Sequence, residues 1–174
     1  MWEYKVYGPY PVTEEEYPVR NGKRGRPRMA SRYSVPSSDA HEFDRIKSSY
    51  GCYVFATKWS DSFKPWYVGK TTRTFEKEIF TPHKIAKLDD LRDFQERGSL
   101  HVFLIAPEKG RGAKNSTATD NMETFLVGAC HRANSQLLNL KKLPKSAWAI
   151  VGVTKAKKGA RTEGEKALQE FVGG

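Results

Sequence analysis

The stretch that decides the fold runs from residue 51 to residue 71, GCYVFATKWSDSFKPWYVGKT. Its two ends, GCYVFATKW (51–59) and WYVGKT (66–71), are rich in aromatic and β-branched residues, and each is short enough for one strand. Between them SDSFKP (60–65) carries Ser, Asp and Pro, which favour turns. The reading is an antiparallel hairpin with a longer loop. It puts Gly51-Cys52-Tyr53 on one strand and Tyr67-Val68-Gly69 on its neighbour, with Lys70 and Thr71 following.

Upstream, DAHEFDRIKSSY (39–50) reads as a short helix with Ser38 or Asp39 as N-cap and Phe43, Ile46 and Tyr50 along its buried stripe. Downstream, Thr74 caps a helix begun by TFEKEIF (74–80). That helix breaks at Thr81-Pro82, where Thr81 can cap and Pro82 can take the first position of a new helix. HKIAKLDDLRDFQER (83–97) continues it, and Gly98 ends it. SLHVFLIAP (99–107) is a third strand, and EKGRGAKNSTATD (108–120) is a polar loop carrying Lys109, Arg111 and Lys114. NMETFLVGACHRANSQLL (121–138) spaces Met122, Phe125, Leu126 and Ala129 as a helix does. SAWAIVGVT (146–154) and TEGEKALQEFVG (162–173) read as a further strand and a terminal helix. The expected fold is α/β in the α+β sense: a small central antiparallel sheet of about three strands flanked by helices. Residues 1–40 read as an appendage, and residues 41–174 as the main domain with a C-terminal strand-helix extension.

The 174 residues suffice for one compact domain and a tail, and 38% hydrophobic against 29% charged residues leaves material for a modest core only. No apolar run approaches the length of a membrane span, and the first residues lack the basic start and apolar stretch of a secretory signal. Cys52 and Cys130 form neither a zinc spacing nor a disulfide framework, so a reducing, cytoplasmic setting is expected. His41, His83, His101 and His131 are scattered without metal-ligand spacing. The net charge of +10 favours polyanionic partners. Between Arg20 and Arg32 six basic residues occur with no acidic one.

The two tripeptides, the Lys70-Thr71 extension, the downstream helix with Glu123, and Asn139 follow in an order that resembles the GIY-YIG nuclease superfamily. The resemblance covers roughly residues 45 to 142. It implies a metal-dependent DNA endonuclease of bacterial or phage setting, with restriction, defence, mobile-element and repair roles all open. Hydrolysis of a phosphodiester needs a positioned water, a base and cations for the developing charge. The resemblance implies one Mg²⁺ or Mn²⁺ held by Glu123, which also has a bland explanation as part of a capping box begun by Asp120. Tyr53 and Tyr67 would line the site, Tyr53 being favoured to orient or deprotonate the water. Lys70 would act on a phenol or a phosphate. Gly51 and Gly69 would shape the backbone, Gly69 by letting it turn tightly. Thr71 and Asn139 would support the site from behind, with a helix C-cap as the alternative for Asn139.

One position departs from the family pattern. The helix arginine expected about ten residues after Tyr67 is replaced by Lys77 or Glu78, the latter in the likelier register. Lysine supplies charge without the planar fork that grips phosphate. Lys77, His83 or Lys84 would have to substitute; otherwise the chain is a DNA-binding module of the same fold with weakened or lost cleavage. Separately, Lys23-Arg24-Gly25-Arg26-Pro27-Arg28 resembles an AT-hook. That resemblance implies binding in the narrow minor groove of A·T-rich DNA; the plain alternative is a basic arm on phosphates. Oligomeric state is left open.

Overall fold

The computed structural model describes residues 3–20, 27–36, 40–94, 98–107, 116–139, 158–162 and 164. Two compact units divide the chain, Met1–Leu143 and Pro144–Gly174. In the second unit, residues 158–162 form an exposed run with a bend at Lys158 and Gly159. The strand expected at 146–154 lies outside the described residues, and so does nearly all of the terminal helix expected at 162–173.

The first unit is α+β. Its elements are β1 (Tyr4–Pro11), β2 (Thr13–Arg20), β3 (Pro27–Ser34), α1 (Ala40–Ile46), β4 (Gly51–Trp59), β5 (Ser62–Thr71), α2 (Phe75–Glu78), α3 (Pro82–Phe94), β6 (Ser99–Pro107) and α4 (Ser116–Ala133). The central sheet has the order β1-β6-β4-β5 and is antiparallel throughout; β2 and β3 form a separate two-stranded ribbon. Among the described residues no helix is long and apolar enough to cross a membrane.

β4 and β6 have the bounds expected from their runs, because uninterrupted β-branched and aromatic residues suit a strand buried on both faces. β5 starts four residues earlier than expected. The connection is the turn at Ser60 and Asp61, with Ser60 at φ 52°, and Trp59 pairs with Ser62. The Pro65 that suggested a loop sits in an edge strand beside a register shift at Phe55/Ala56, a place where a missing N–H costs no ladder bond.

The described residues of the segment expected as an appendage, 3–20 and 27–36, join the sheet and core of the first unit. β1 completes the sheet against β6, and Tyr10, Val12 and Tyr33 enter the main core. Tyr33 Oη donates to Asp89 Oδ1 of α3 at 2.7 Å, which fastens the ribbon to the helix. Pro27 and Arg28 belong to the β3 ladder, where they pair with Arg20 and Val19. Lys23, Arg24 and Arg26 of the AT-hook-like segment lie outside the described residues.

Alternation along the strands separates two cores. One face carries Tyr53, Phe55, Tyr67 and Leu104 under Phe75, Ile79 and Leu88 of the α2–α3 region. The other carries Cys52, Val54, Val68 and Ile105 against Val127, Met122 and Leu126 of α4. Neither cysteine is in a disulfide. The α2–α3 break falls at Pro82 as expected, with the Thr74 side chain accepting from the Lys77 N–H at 3.4 Å. Helix α4 begins at Ser116, not after Asp120, which shortens the preceding loop.

β5 is an edge strand, and the chain after α4 covers that edge. Asn134 Nδ2 donates to Pro65 O at 2.7 Å, and the Leu138 N–H donates to Trp66 O at 2.8 Å. Asn139 makes a two-point clamp: its Nδ2 donates to Val68 O at 2.6 Å and its Oδ1 accepts from Val68 N at 3.2 Å. The expected helix C-cap role does not apply, since α4 ends at Ala133. Removing the amide leaves both backbone groups of a buried residue unpaired. Asn139→Ala should therefore destabilise the protein by about 1–3 kcal/mol, read as a lowered urea midpoint with unchanged slope.

Candidate functional site

In the β4–β5 pairing Tyr53 stands opposite Gly69 and Phe55 opposite Tyr67. Opposed residues share a face, so both phenols project toward the α2–α3 side, with ring centroids 6.2 Å apart. Gly69 does not turn the chain. It lies within β5, and a Cβ there would run into the Cζ and hydroxyl of Tyr53. Its hydrogen side chain makes room for the phenol to lie across the edge strand. Gly51 has φ +147°, and a Cβ there would collide with Ile105 O; the backbone geometry and the neighbouring strand both call for glycine.

Tyr53 is fully buried, and its hydroxyl reaches no partner at full hydrogen-bond geometry among the described residues. Burial above all pushes the phenol well above its usual range. The adjacent Tyr67 and the negative charges of Glu78 and Glu123 act in the same direction. A phenol held in its neutral form is a hydrogen-bond donor, which of the two roles expected for Tyr53 suits orienting a water and not deprotonating it.

Tyr67 meets a cation. Lys84 Nζ, from the first turn of α3, donates to Tyr67 Oη at 2.7 Å and stands 3.5 Å from Glu78 Oε1. It lies 5.0 Å from the centroid of the Tyr67 ring, and Lys87 Nζ lies 5.5 Å from it. Of the three candidates for the missing arginine, Lys84 is therefore the one brought to the phenols. Lys77 and His83 are exposed and do not join this cluster. The break at Pro82 explains the choice, because it restarts the helix and directs its first turn back over β5. Glu78, the alternative at the arginine position, pairs with Lys84.

The remaining candidates gather at the same stretch of β5 on the opposite face. Lys70 Nζ forms an ion pair with Asp120 and lies 3.9 Å from Glu123 Oε2. Lys70 is thus a partner of carboxylates, not of a phenol. Glu123 is 5% exposed and sits in the interior of α4. The early start of α4 removes the capping-box explanation, since Asp120 and Glu123 are past the first turn. Thr71 is buried, and its Oγ1 accepts from the Arg73 N–H at 3.0 Å, which shapes the exit from β5. Lys87 is a neighbour that sequence reasoning missed, whereas Asp120 and Glu78 were read there only as a cap and as the occupant of the arginine position; the i, i+3 spacing of Asp120 and Glu123 was the available signal for the first of these two.

Glu123 and Asp120 offer only carboxylate oxygens, a hard donor set of the kind Mg²⁺ or Mn²⁺ takes, and both carboxylates face the Lys70 ammonium. Among the described residues no three His, Cys, Asp or Glu side chains gather as a metal site. An ion that keeps most of its waters needs fewer protein ligands than that.

The chain matches no family model, no curated protein and no solved structure.

The raised Tyr53 phenol links folding to pH. The folded-state value lies above the unfolded one, so the contribution of the neutral phenol is complete below about pH 10 and is lost as pH rises further. Thermal melting above about pH 10 should fall more steeply for the wild type than for Tyr53→Phe, which has no proton to lose. Parallel curves would contradict this assignment.

Proposed function

We propose that this chain is a metal-dependent endonuclease of the GIY-YIG type acting on DNA. The observation that carries the reading is the convergence on residues 67–70 of β5. Tyr53, Tyr67 and Lys84 approach from one face, and buried Glu123 with Lys70 from the other. The net charge of +10 supports DNA as the partner. The basic segment Lys23, Arg24, Arg26 and Arg28 adds affinity, with A·T-rich sequence as its preferred target. A bacterial or phage setting, in restriction, defence or mobile-element biology, follows the same reading.

The hydrolysis forms a bond from water oxygen to phosphorus and breaks the bond to the leaving oxygen. The water loses a proton, and the leaving oxygen gains one. Tyr67 positions the water: its oxygen accepts from Lys84, which leaves its own hydrogen directed by that contact. Lys84 and Lys87 offset the charge that develops on the phosphate. Tyr53, neutral and buried, packs Tyr67 in place. Glu123 and Asp120 would hold Mg²⁺ or Mn²⁺, which would supply Lewis-acid stabilisation of the phosphate. Lys70, paired with these carboxylates, would then be available to the DNA backbone.

A second reading has its own observation. Glu78 engages Lys84, so the cation nearest the phenols is partly neutralised where an arginine would be free. That favours a DNA-binding module of the same fold with weakened or lost cleavage. Incubation with supercoiled plasmid in Mg²⁺ or Mn²⁺ separates the two. The nuclease reading expects metal-dependent nicking that falls at least about 100-fold in Glu123→Ala. Nicking that survives this substitution sinks the site. Salt-sensitive binding without nicking selects the module.

A further inference from the structure

The four strands of the central sheet, Tyr4–Pro11, Gly51–Trp59, Ser62–Thr71 and Ser99–Pro107, contain no Asp or Glu, yet they carry Lys5, Lys58, Lys64 and Lys70. The carboxylates of the first unit are on the helices, the β2–β3 ribbon and the connections. Of these lysines, Lys58 shares the face that bears α4 with an aromatic surface, while Lys70 on that face is paired with Asp120. Helix α4 packs over β5 and β4. Toward β6 and β1 the same face presents Phe63, His101, Phe103 and Val6.

Register places these residues together. Val54 is opposite Phe103, Ala56 opposite His101, Lys58 opposite Phe63, and Val6 opposite Ile105. Opposed residues project to one side. Ala56 has almost no side chain, and this lets Phe63 reach across β4. Its ring meets His101 edge-on at 5.5 Å and Phe103 edge-on at 5.1 Å. Lys58 Nζ stands 5.8 Å from the Phe63 centroid. Phe63 is 36% exposed and Val6 58% exposed, while Phe103 and His101 are half-buried.

We infer that this face binds single-stranded DNA by stacking unpaired bases on Phe63, His101 and Phe103 while Lys58 engages the phosphates. Around Phe63, His101 and Phe103 the described strand residues are apolar, aromatic and cationic without a carboxylate, a combination that suits a polyanion which also exposes planar faces. Unpaired DNA has both properties. A duplex hides its base faces and would meet only the lysine. The surface is separate from Tyr67 and Lys84, so the inference holds whether or not the chain cleaves DNA.

The test is fluorescence anisotropy of the full chain with a labelled oligothymidylate of about 12 nucleotides, beside the matching blunt duplex and the corresponding RNA. Phe63→Leu keeps the apolar volume and removes the ring, so affinity for the single strand should fall about tenfold while duplex binding is unchanged. Phe63→Tyr should retain affinity. Lys58→Gln should lower the salt dependence by about one unit of slope, which provides a second readout should Phe63→Leu melt early. Wild-type affinity in Phe63→Leu, or an unchanged salt slope in Lys58→Gln, overturns the inference. Equal losses on single strand and duplex, or tighter binding of the RNA through Phe63, overturn it as well. So does a concentration-dependent dimer in sedimentation that Phe63→Leu abolishes, since the face would then belong to a second copy.

Discussion

The passage of the Tyr53 ring over Gly69 is the contact on which the remaining arrangement depends. A side chain at residue 69 would occupy the phenol's own position. With hydrogen there, Tyr53 lies across the edge strand and fills the space between β4 and β5 on the α2–α3 face. Tyr67 then packs beside it, and Phe75 and Ile79 close the core above. A one-residue slip of β5 would reverse every side chain on the strand and set a different residue against Tyr53. Asn139 opposes such a slip by clamping both polar groups of Val68, the residue between Tyr67 and Gly69.

The same register divides the charges. Tyr67 and Gly69 face α3, while Val68 and Lys70 face α4. Lysine therefore meets phenol on one side and carboxylate on the other, within four residues of one strand. Lys84 brings its charge to Tyr67 as a point charge, held by Glu78. An arginine would offer a planar fork with several fixed donors. On the proposed nuclease reading the cluster would position a water and offset charge, but it would grip a phosphate through single contacts and support a slower reaction than an arginine at the same place.

Some of this was legible in local chemistry. The bounds of β4 and β6 followed from unbroken runs of strand-forming residues, and the Thr74 cap and Pro82 break followed from the backbone demands of helix starts. Elements governed by distant contacts were not legible. β1 interrupts its alternation at the Gly8-Pro9 pair, and the tyrosines that it buries or half-buries read as polar in sequence. The start of α4 was hidden because Ser116–Asp120 has no apolar period, and this made Glu123 look like a capping residue. The candidate site was legible as a set of residues but not as pairings. No spacing rule says that Lys84, beyond a helix break, reaches Tyr67 while Lys77 does not. Likewise, the raised phenol of Tyr53 comes from burial that only the packed core creates.

The central claim is that the residues on the two faces of β5 act as one site. The most direct measurement is a double-mutant cycle on the single-turnover cleavage rate, using Lys84→Ala, Glu123→Gln and the pair. Residues that act as a unit are non-additive. The account predicts a double variant no slower than the worse single variant. Losses that multiply, with each substitution exerting its full effect in the other's absence, would contradict it.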